Sequence, residues 1–339
     1  RVGGYNGAWW RGTRRLVRNG GACAWDVIVS EDGGAWGVVE ELRHDSERPP
    51  IVMFRHGTTL RNLRQTFPPK RLRAVGSSLL SLRDYIRHPR RLARHVDLML
   101  AITEPIAASA RREGAGPNTD VRVIPLGVDL ERFQPSPDPR IDRQALGLDP
   151  NAPVLSWLGR DVPGKRADLA LAVFEHLLAR AGSWQMALAI GQPRPATTRR
   201  IAALRERYGA RVHVFANASE RTVLQIHRGA SVQLFPSVLA EGLPIAIMES
   251  LACGTPVLAT PGDPFRDIDV FREQPDWIMA RPSLDAWADA ASELALGPHQ
   301  LDARRQARKL AAQYYDLRLT AGQTVSAIED LVERWRHRR

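Results

Sequence analysis

Phe235-Pro-Ser-Val-Leu-Ala-Glu-Gly-Leu-Pro-Ile-Ala-Ile-Met-Glu-Ser-Leu-Ala-Cys-Gly-Thr-Pro-Val257 is the stretch on which the fold turns. It reads as a buried strand ending at Phe235, a loop through Glu241 and Gly242, a helix, and a second strand. Pro244 suits the first turn of a helix, where its missing N–H costs nothing. Ile245, Met248 and Leu251 or Ala252 recur at helical spacing and are expected to face a core. Gly254 ends the helix and Pro256 opens the next strand. Such a unit brings a helix start to the carboxyl edge of a parallel sheet, where its free N–H groups bind phosphate or sugar oxygens. Gly242 is expected to let the backbone approach a ligand closely. Glu241 precedes the helix and Glu249 lies within it. Along one straight helix that separation spans about 12 Å, but a loop position lets Glu241 turn back, so both carboxylates line one elongated ligand. The same acids also fit a loop glutamate on the surface and a helix glutamate paired with arginine. Spacing alone does not separate these readings.

Outward from this stretch the same pattern repeats. Apolar runs occur at residues 26–30, 51–54, 97–102 and 121–125, then at 154–158, 185–190, 212–215, 232–235, 256–259 and 277–280. Continuous apolar runs separated by helical stretches predict parallel strands buried on both faces, hence an α/β fold. Ligands of such sheets bind beyond the carboxyl ends of the strands. The proline-rich Gln134-Pro-Ser-Pro-Asp-Pro-Arg140, followed by Asp149-Pro-Asn-Ala-Pro153, is poor helix and strand material and suits a linker. Four strands precede it and six follow. The expected organisation is a first domain over residues 1–132, a second over 133–316, and a closing segment over 317–339. That segment reads as a helix with Ile328, Leu331 and Val332 on one face.

Composition narrows the function class. The chain has 339 residues and a formal net charge of +11, from 48 Lys and Arg against 37 Asp and Glu. Such an excess favours an anionic partner, although an arginine-rich composition has other sources. The two cysteines, Cys23 and Cys253, lie far apart, which argues against a disulfide framework or metal cluster and fits a reducing, cytoplasmic compartment. No apolar run is long enough to span a membrane, and no leader is visible, although the sequence opens at Arg1 instead of Met.

The stretch 235–257 resembles the donor-site signature of glycosyltransferase family 4, retaining enzymes of the GT-B fold. That signature is an EX7E motif, Glu, seven residues, Glu, in a Pro-Ser…Glu-Gly-x-Pro context. Two further strings resemble the family. Val123-Ile-Pro-Leu-Gly-Val-Asp-Leu-Glu-Arg-Phe133 is similar to its interdomain segment. Trp157-Leu-Gly-Arg160, followed by Gly164-Lys165, is similar to its basic donor pair. The match is densest over residues 121–260 and diffuse beyond.

The resemblance implies two Rossmann-like doubly wound domains facing a cleft, and transfer of a hexose-like sugar from a nucleotide-diphosphate sugar with retention at the anomeric carbon. It implies that Glu241 contacts the transferred sugar and Glu249 the ribose hydroxyls. Gly159, Gly242, Leu243, Pro244 and Ile245 line the donor, the N–H groups of Leu243 and Ile245 holding its phosphates. Independently of the family, Arg160 and Lys165 flank a strand end, where an anion sits. Negative charge grows on the departing diphosphate; an arginine fork and a lysine point charge both stabilise it. No metal or other cofactor is then required.

The N-terminal half fits the family less well. It shows fewer strands than the family's first domain, and Gly3-Gly4 has no strand before it, so the first domain is expected to be incomplete. His56, after the strand 51–54, occupies the place of a family histidine near the reacting sugar and acceptor. Outside that context a histidine there is as readily structural. From Arg61 to Arg94 the sequence holds ten basic residues and one acid, Asp84. Arg61, Arg64, Lys70, Arg71 and Arg73 are candidates for gripping an anionic or lipid-linked acceptor or for peripheral contact with an anionic membrane, at its inner face. A solvated basic face fits equally. The stretch lacks an aromatic ladder or reading motif, so nucleic acid is not expected as a partner. The alternative to an enzyme is a truncated, non-catalytic nucleotide-sugar-binding or membrane-associated module.

Overall fold

The computed structural model describes residues 5–20, 25–57, 92–239, 242–260, 268–279 and 283–338. The strands are β1 (Ile28–Glu31), β2 (Ile51–Arg55), β3 (Leu98–Ala101), β4 (Asp120–Val123), β5 (Val154–Gly159), β6 (Gln185–Ile190), β7 (Val212–Ala216), β8 (Val232–Phe235) and β9 (Val257–Ala259). The helices are α1 (Tyr5–Gly20), α2 (Trp36–Leu42), α3 (Glu104–Glu113), α4 (Pro139–Ala145), α5 (Ala167–Ala181) and α6 (Pro195–Tyr208). They continue with α7 (Glu220–Gly229), α8 (Ile245–Ala252), α9 (Asp269–Glu273), α10 (Leu284–Leu296), α11 (Gln300–Tyr314) and α12 (Leu317–Arg336). Contacts divide the chain into two units, one of Arg1–Pro125 with Ala240–Leu243 and Thr320–Arg339, the other of Leu126–Leu239 with Pro244–Leu319.

In the first unit a parallel sheet runs in the order β1-β2-β3-β4. Side chains alternate across a strand, and here both sides are covered. Ile51 and Met53 of β2 pack with Val17 of α1 and with Trp36, Val39 and Leu42 of α2. Val52, with Leu98 and Leu100 of β3, faces the other way and packs against Ala327 and Leu331 of α12. Ile328 packs on the same cluster, as its place in the sequence pattern predicts. Ion pairs fix this returning helix along the sheet: Arg122 to Asp330 at 3.0 Å, Arg334 to Asp120 at 3.2 Å and Arg336 to Asp26 at 2.6 Å.

The second unit carries a five-stranded parallel sheet in the order β7-β6-β5-β8-β9. Leu155 and Trp157 of β5 point into a core built with Phe174 and Leu177 of α5 and Trp287 of α10. Val154 and Leu158 point to the opposite face, toward Ile226 of α7.

Three expectations need correction. Among the described residues of the run 277–280, Trp277 to Met279 do not form a sixth strand. Pro275–Trp277 is a 3-10 turn, and only Ile278 makes a parallel bridge, to Ala259. The turn uses the donors of this run: Trp277 N donates to Gln274 O at 3.1 Å and Ile278 N to Pro275 O at 3.0 Å, so little is left for a ladder. The polar stretch 134–140 is not wholly a linker, because Pro139 opens α4. Asp138 caps it by accepting from Arg140 N, and a proline in a first helical turn sacrifices no hydrogen bond. Finally, the arginine excess serves structure in part. Arg143 donates to Gly229 O at 2.7 Å, Arg304 to Ala230 O at 3.0 Å and Arg308 to Ala252 O at 2.9 Å. These close the carboxyl ends of α7 and α8, whose last carbonyls have no intrahelical donor. Burial lowers Arg304 to about 10, so it stays cationic at neutral pH.

Leu331 is 5% exposed within the sheet-covering face of α12. Leu331→Ala is expected to destabilise the protein by about 3 kcal/mol, and Glu329→Ala, on the exposed face, by less than about 0.5 kcal/mol. Denaturant melts of the two variants check this. Burial also pushes the Cys253 thiol up to about 12. Iodoacetamide at pH 8 is therefore expected to leave Cys253 unmodified in the native protein and to label it after denaturation, as peptide mass mapping reads directly.

Candidate functional site

β5 begins the second sheet; β6 and β7 are added on one side of it, β8 and β9 on the other. Between β5 and β8 the strand order therefore reverses. The loops leaving their carboxyl ends diverge and leave a crevice where ligands of open α/β sheets bind. Gly159 ends β5, and the loop after it carries Arg160 and Lys165. The segment after β8 leads to Pro244, Ile245 and Glu249. The structure thus places these six predicted residues on the two elements that border the reversal.

The two loops are tied together. Val238 N donates to Gly164 O at 2.8 Å, and a side chain at Gly164 would run into Leu239. Trp157 Nε1 donates to Lys165 O at 3.4 Å, and the Lys165 ammonium stands 5.0 Å from the centre of the Phe235 ring, a cation–π arrangement. Arg160 is exposed. Arg166 adopts the left-handed region at φ 55°, where a side chain is disfavoured, and its guanidinium Nε bonds both oxygens of Asp168 at 3.1 Å.

Asp161, one residue beyond Arg160, went unnoticed in the sequence, yet it fixes this loop. Its side chain is fully enclosed. It accepts from Arg194 N at 2.6 Å and from Arg194 Nε at 2.9 Å, just before α6. Desolvation pushes its pKa upward, but the bonds from Arg194 and Thr197 outweigh it and leave the carboxyl below its ordinary value. Its partner lies 33 residues away, so no local pattern announces the pairing.

α8 starts one residue later than expected. Pro244 is the residue before the helix, at φ −70° and ψ 122°, and makes no side-chain cap. The first-turn N–H groups thus receive no help from a capping side chain. Ile245 does not face the core; it is 56% exposed, while Ile247, Met248 and Leu251 are buried. The apolar stripe starts at Ile247 because the chain enters α8 from the sheet edge, which turns the first residue outward. Gly254, at φ +72°, follows α8 in the left-handed position, as its place in the sequence predicts. Glu249 is 20% exposed, with Oε2 3.4 Å from Nε2 of the buried His227.

Gly242 and Leu243 group with the first unit. The space at Gly242 is taken by protein: a Cβ there would lie 2.6 Å from His56 O and 2.6 Å from Ile102 Cδ1. A side chain is therefore excluded at Gly242 by the His56 carbonyl and Ile102. At the carboxyl edge of the first sheet, His56 Nε2 makes a short contact with Glu31 Oε2, and His56 N donates to Asp32 Oδ1 at 3.2 Å. Neighbouring Arg55 is committed to Glu113 at 2.6 Å. The acid pair Glu31-Asp32 was legible in principle, since it directly follows an apolar strand, where ligand contacts cluster. Glu241, Gly3, Gly4 and the candidate contacts Arg61, Arg64, Lys70, Arg71 and Arg73 lie outside the described residues.

Comparison with known proteins identifies a family and a fold. Residues 138–313 match the family model of glycosyl transferases group 1, and residues 2–132 that of glycosyltransferase family 4. The chain is 34% identical over 175 residues to D-inositol 3-phosphate glycosyltransferase 2 of Catenulispora acidiphila, covering 48% of this chain and 40% of that protein. It thus spans less than half the length of that relative. Among solved structures, sucrose-phosphate synthase from Thermosynechococcus elongatus superposes with a TM-score of 0.73 at 19% identity, over 96% of this chain and 78% of the other. Anabaena HepE in complex with UDP gives a TM-score of 0.69 at 17% identity, over 94% and 82%. Both likenesses bear on the fold, which is GT-B.

Asp161→Asn keeps the shape of the clamp and removes its charge. A carboxyl with a depressed folded pKa stabilises the protein above its unfolded value of about 3.9 and ceases to do so as pH falls through the folded value. The variant is expected to lose about 1–2 kcal/mol at pH 7, the figure allowing for the solvent-facing side of Arg194. The difference from the parent protein should close as the pH drops below about 4. Thermal melts across pH test both statements.

Proposed function

The chain belongs to the family 4, group 1 glycosyltransferases, and from that premise we propose that it moves a hexose-like sugar from a nucleotide-diphosphate sugar to a hydroxyl acceptor with retention of anomeric configuration. The observation that carries this is the strand-order reversal in the second unit, with Arg160 and Lys165 on one bordering loop and the uncapped start of α8 on the other. The crevice suits an extended anion. Glu249 accepts from the ribose hydroxyls and Glu241 from the transferred sugar. The N–H groups at the start of α8 take phosphate oxygens.

The chemistry follows from that placement. The bond from the anomeric carbon to the diphosphate oxygen breaks, and its electron pair leaves on that oxygen. Arg160 and Lys165, on the loop beside that oxygen, stabilise the developing charge. The acceptor oxygen bonds the anomeric carbon from the face the diphosphate leaves, and its proton passes to the departing phosphate oxygen. His56, held by Glu31, orients the acceptor or the sugar. The two cations take the part a metal would play, so no metal is required.

The acceptor class proposed is anionic: a phosphorylated or lipid-linked alcohol. Support comes from the basic sequence between Arg61 and Arg94 and from relatives named for inositol phosphate and sucrose phosphate chemistry. A peripheral position at an anionic membrane, on the cytoplasmic side, follows the same charge argument. No helix among the described residues is long and apolar enough to cross a membrane.

A thermal-shift screen of UDP-, GDP-, ADP- and dTDP-sugars is expected to single out one donor, since a ligand at 100 times its Kd adds about 2.7 kcal/mol of stability. With that donor, Arg160→Ala, Lys165→Ala and Glu241→Ala should each lower turnover by about 10²–10³-fold, and EDTA should leave it unchanged. Unchanged transfer in all three variants would sink the reading. Donor binding without turnover by the parent protein would point to the non-catalytic module instead.

A further inference from the structure

His227 lies on α7 and is fully buried. Among the described residues neither of its ring nitrogens has a hydrogen-bond partner. Nε2 stands 3.4 Å from Glu249 Oε2, close enough for an ion pair but not aligned as a hydrogen bond. Phe133 meets the imidazole edge-on, with ring centres 6.3 Å apart. The backbone carbonyl of His227 accepts from Thr255 Oγ1 at 2.7 Å.

Burying an imidazole in this way is costly, because an unmade hydrogen bond inside a protein forfeits the water it displaced. An apolar side chain of similar size would fill the gap between α7 and α8 without that cost. The expensive group sits beside the carboxylate of α8, and that carboxylate is enclosed on the His227 side and 20% exposed in all. Oε2 is the oxygen that stands against the ring, and part of the Glu249 side chain remains exposed.

We propose that His227 is a positioning residue for the donor: its Nε2–H backs Glu249 Oε2, stops the carboxylate from rotating, and presents the outer oxygen to the ribose hydroxyls. This rests on the donor-site reading of Glu249 given above. A carboxylate held from behind loses little freedom when it binds a diol, so affinity is gained through preorganisation. Ligating groups elsewhere depend in the same way on partners that touch no ligand.

The test uses the full chain, calorimetry, and whichever of UDP and GDP the parent protein binds more tightly, together with its 2′,3′-dideoxy analogue. His227→Leu is expected to melt at or above the parent temperature, because it removes two unsatisfied polar atoms. It should bind the ribonucleotide about tenfold more weakly and bind the dideoxy analogue as the parent does. His227→Gln, which offers an N–H at similar reach, should recover most of the loss. His227→Asn, polar but short, should follow His227→Leu, and it decides the matter should the leucine variant not fold. Equal losses on both nucleotides, or none on either, would overturn the role of His227 while leaving the donor site intact. If the parent protein binds neither UDP nor GDP nor any nucleotide sugar, the donor-site reading falls and the proposal with it.

Discussion

A parallel strand covered on both faces has no place for chemistry along its length. In β5, β6, β8 and β9 nearly every side chain is buried, and a charge there would be desolvated at great cost. Polar function is driven to the ends of the strands. Of the two ends, the carboxyl end is where helix starts collect, with their N–H groups pointing at whatever binds. Gly159, Arg160, Lys165 and the start of α8 lie there in the second unit, and Glu31, Asp32 and His56 in the first. The site is a consequence of sheet construction before it is a consequence of any one residue.

This constraint also explains what could be read in advance. Continuous apolar runs mark doubly covered strands, and nine of the ten runs picked out on that basis form strands. The tenth, around Trp277, is as apolar as the others, but the turn that Pro275 opens takes the N–H groups of Trp277 and Ile278 and leaves one bridge. Gly254 was legible because its conformation demands glycine. Ile245 was misread because helical spacing gives a stripe but not the residue at which the stripe begins. Gly242 admits no side chain because the His56 carbonyl and Ile102 crowd it, a fold-made constraint that the sequence does not display. Asp161 and His227 were invisible for a different reason: each acquires its meaning from a partner brought in by the fold, Arg194 in one case and Glu249 in the other.

Charge was the least transparent feature. An excess of +11 suggests an anionic partner, yet several arginines close helix ends inside the second unit. Arg143, Arg304 and Arg308 each donate to main-chain carbonyls. Guanidinium suits this work because its fork reaches several carbonyls at once: Arg308 alone bonds Phe133, Ala252 and Leu130. Net charge counts these residues as surface electrostatics, although they behave as mortar between helices.

The return of α12 to the first sheet has a consequence in time. Val52, Leu98 and Leu100 are covered by Ala327 and Leu331, which follow them by most of the second unit. At about 5–20 residues per second, the ribosome delivers the cover on the order of ten seconds or more after the strands it protects. Through that interval the residues that cover this face of the first sheet are not yet made, while the second unit has all its residues by Leu319. The unit whose first strands emerge earliest therefore receives its last packing segment latest.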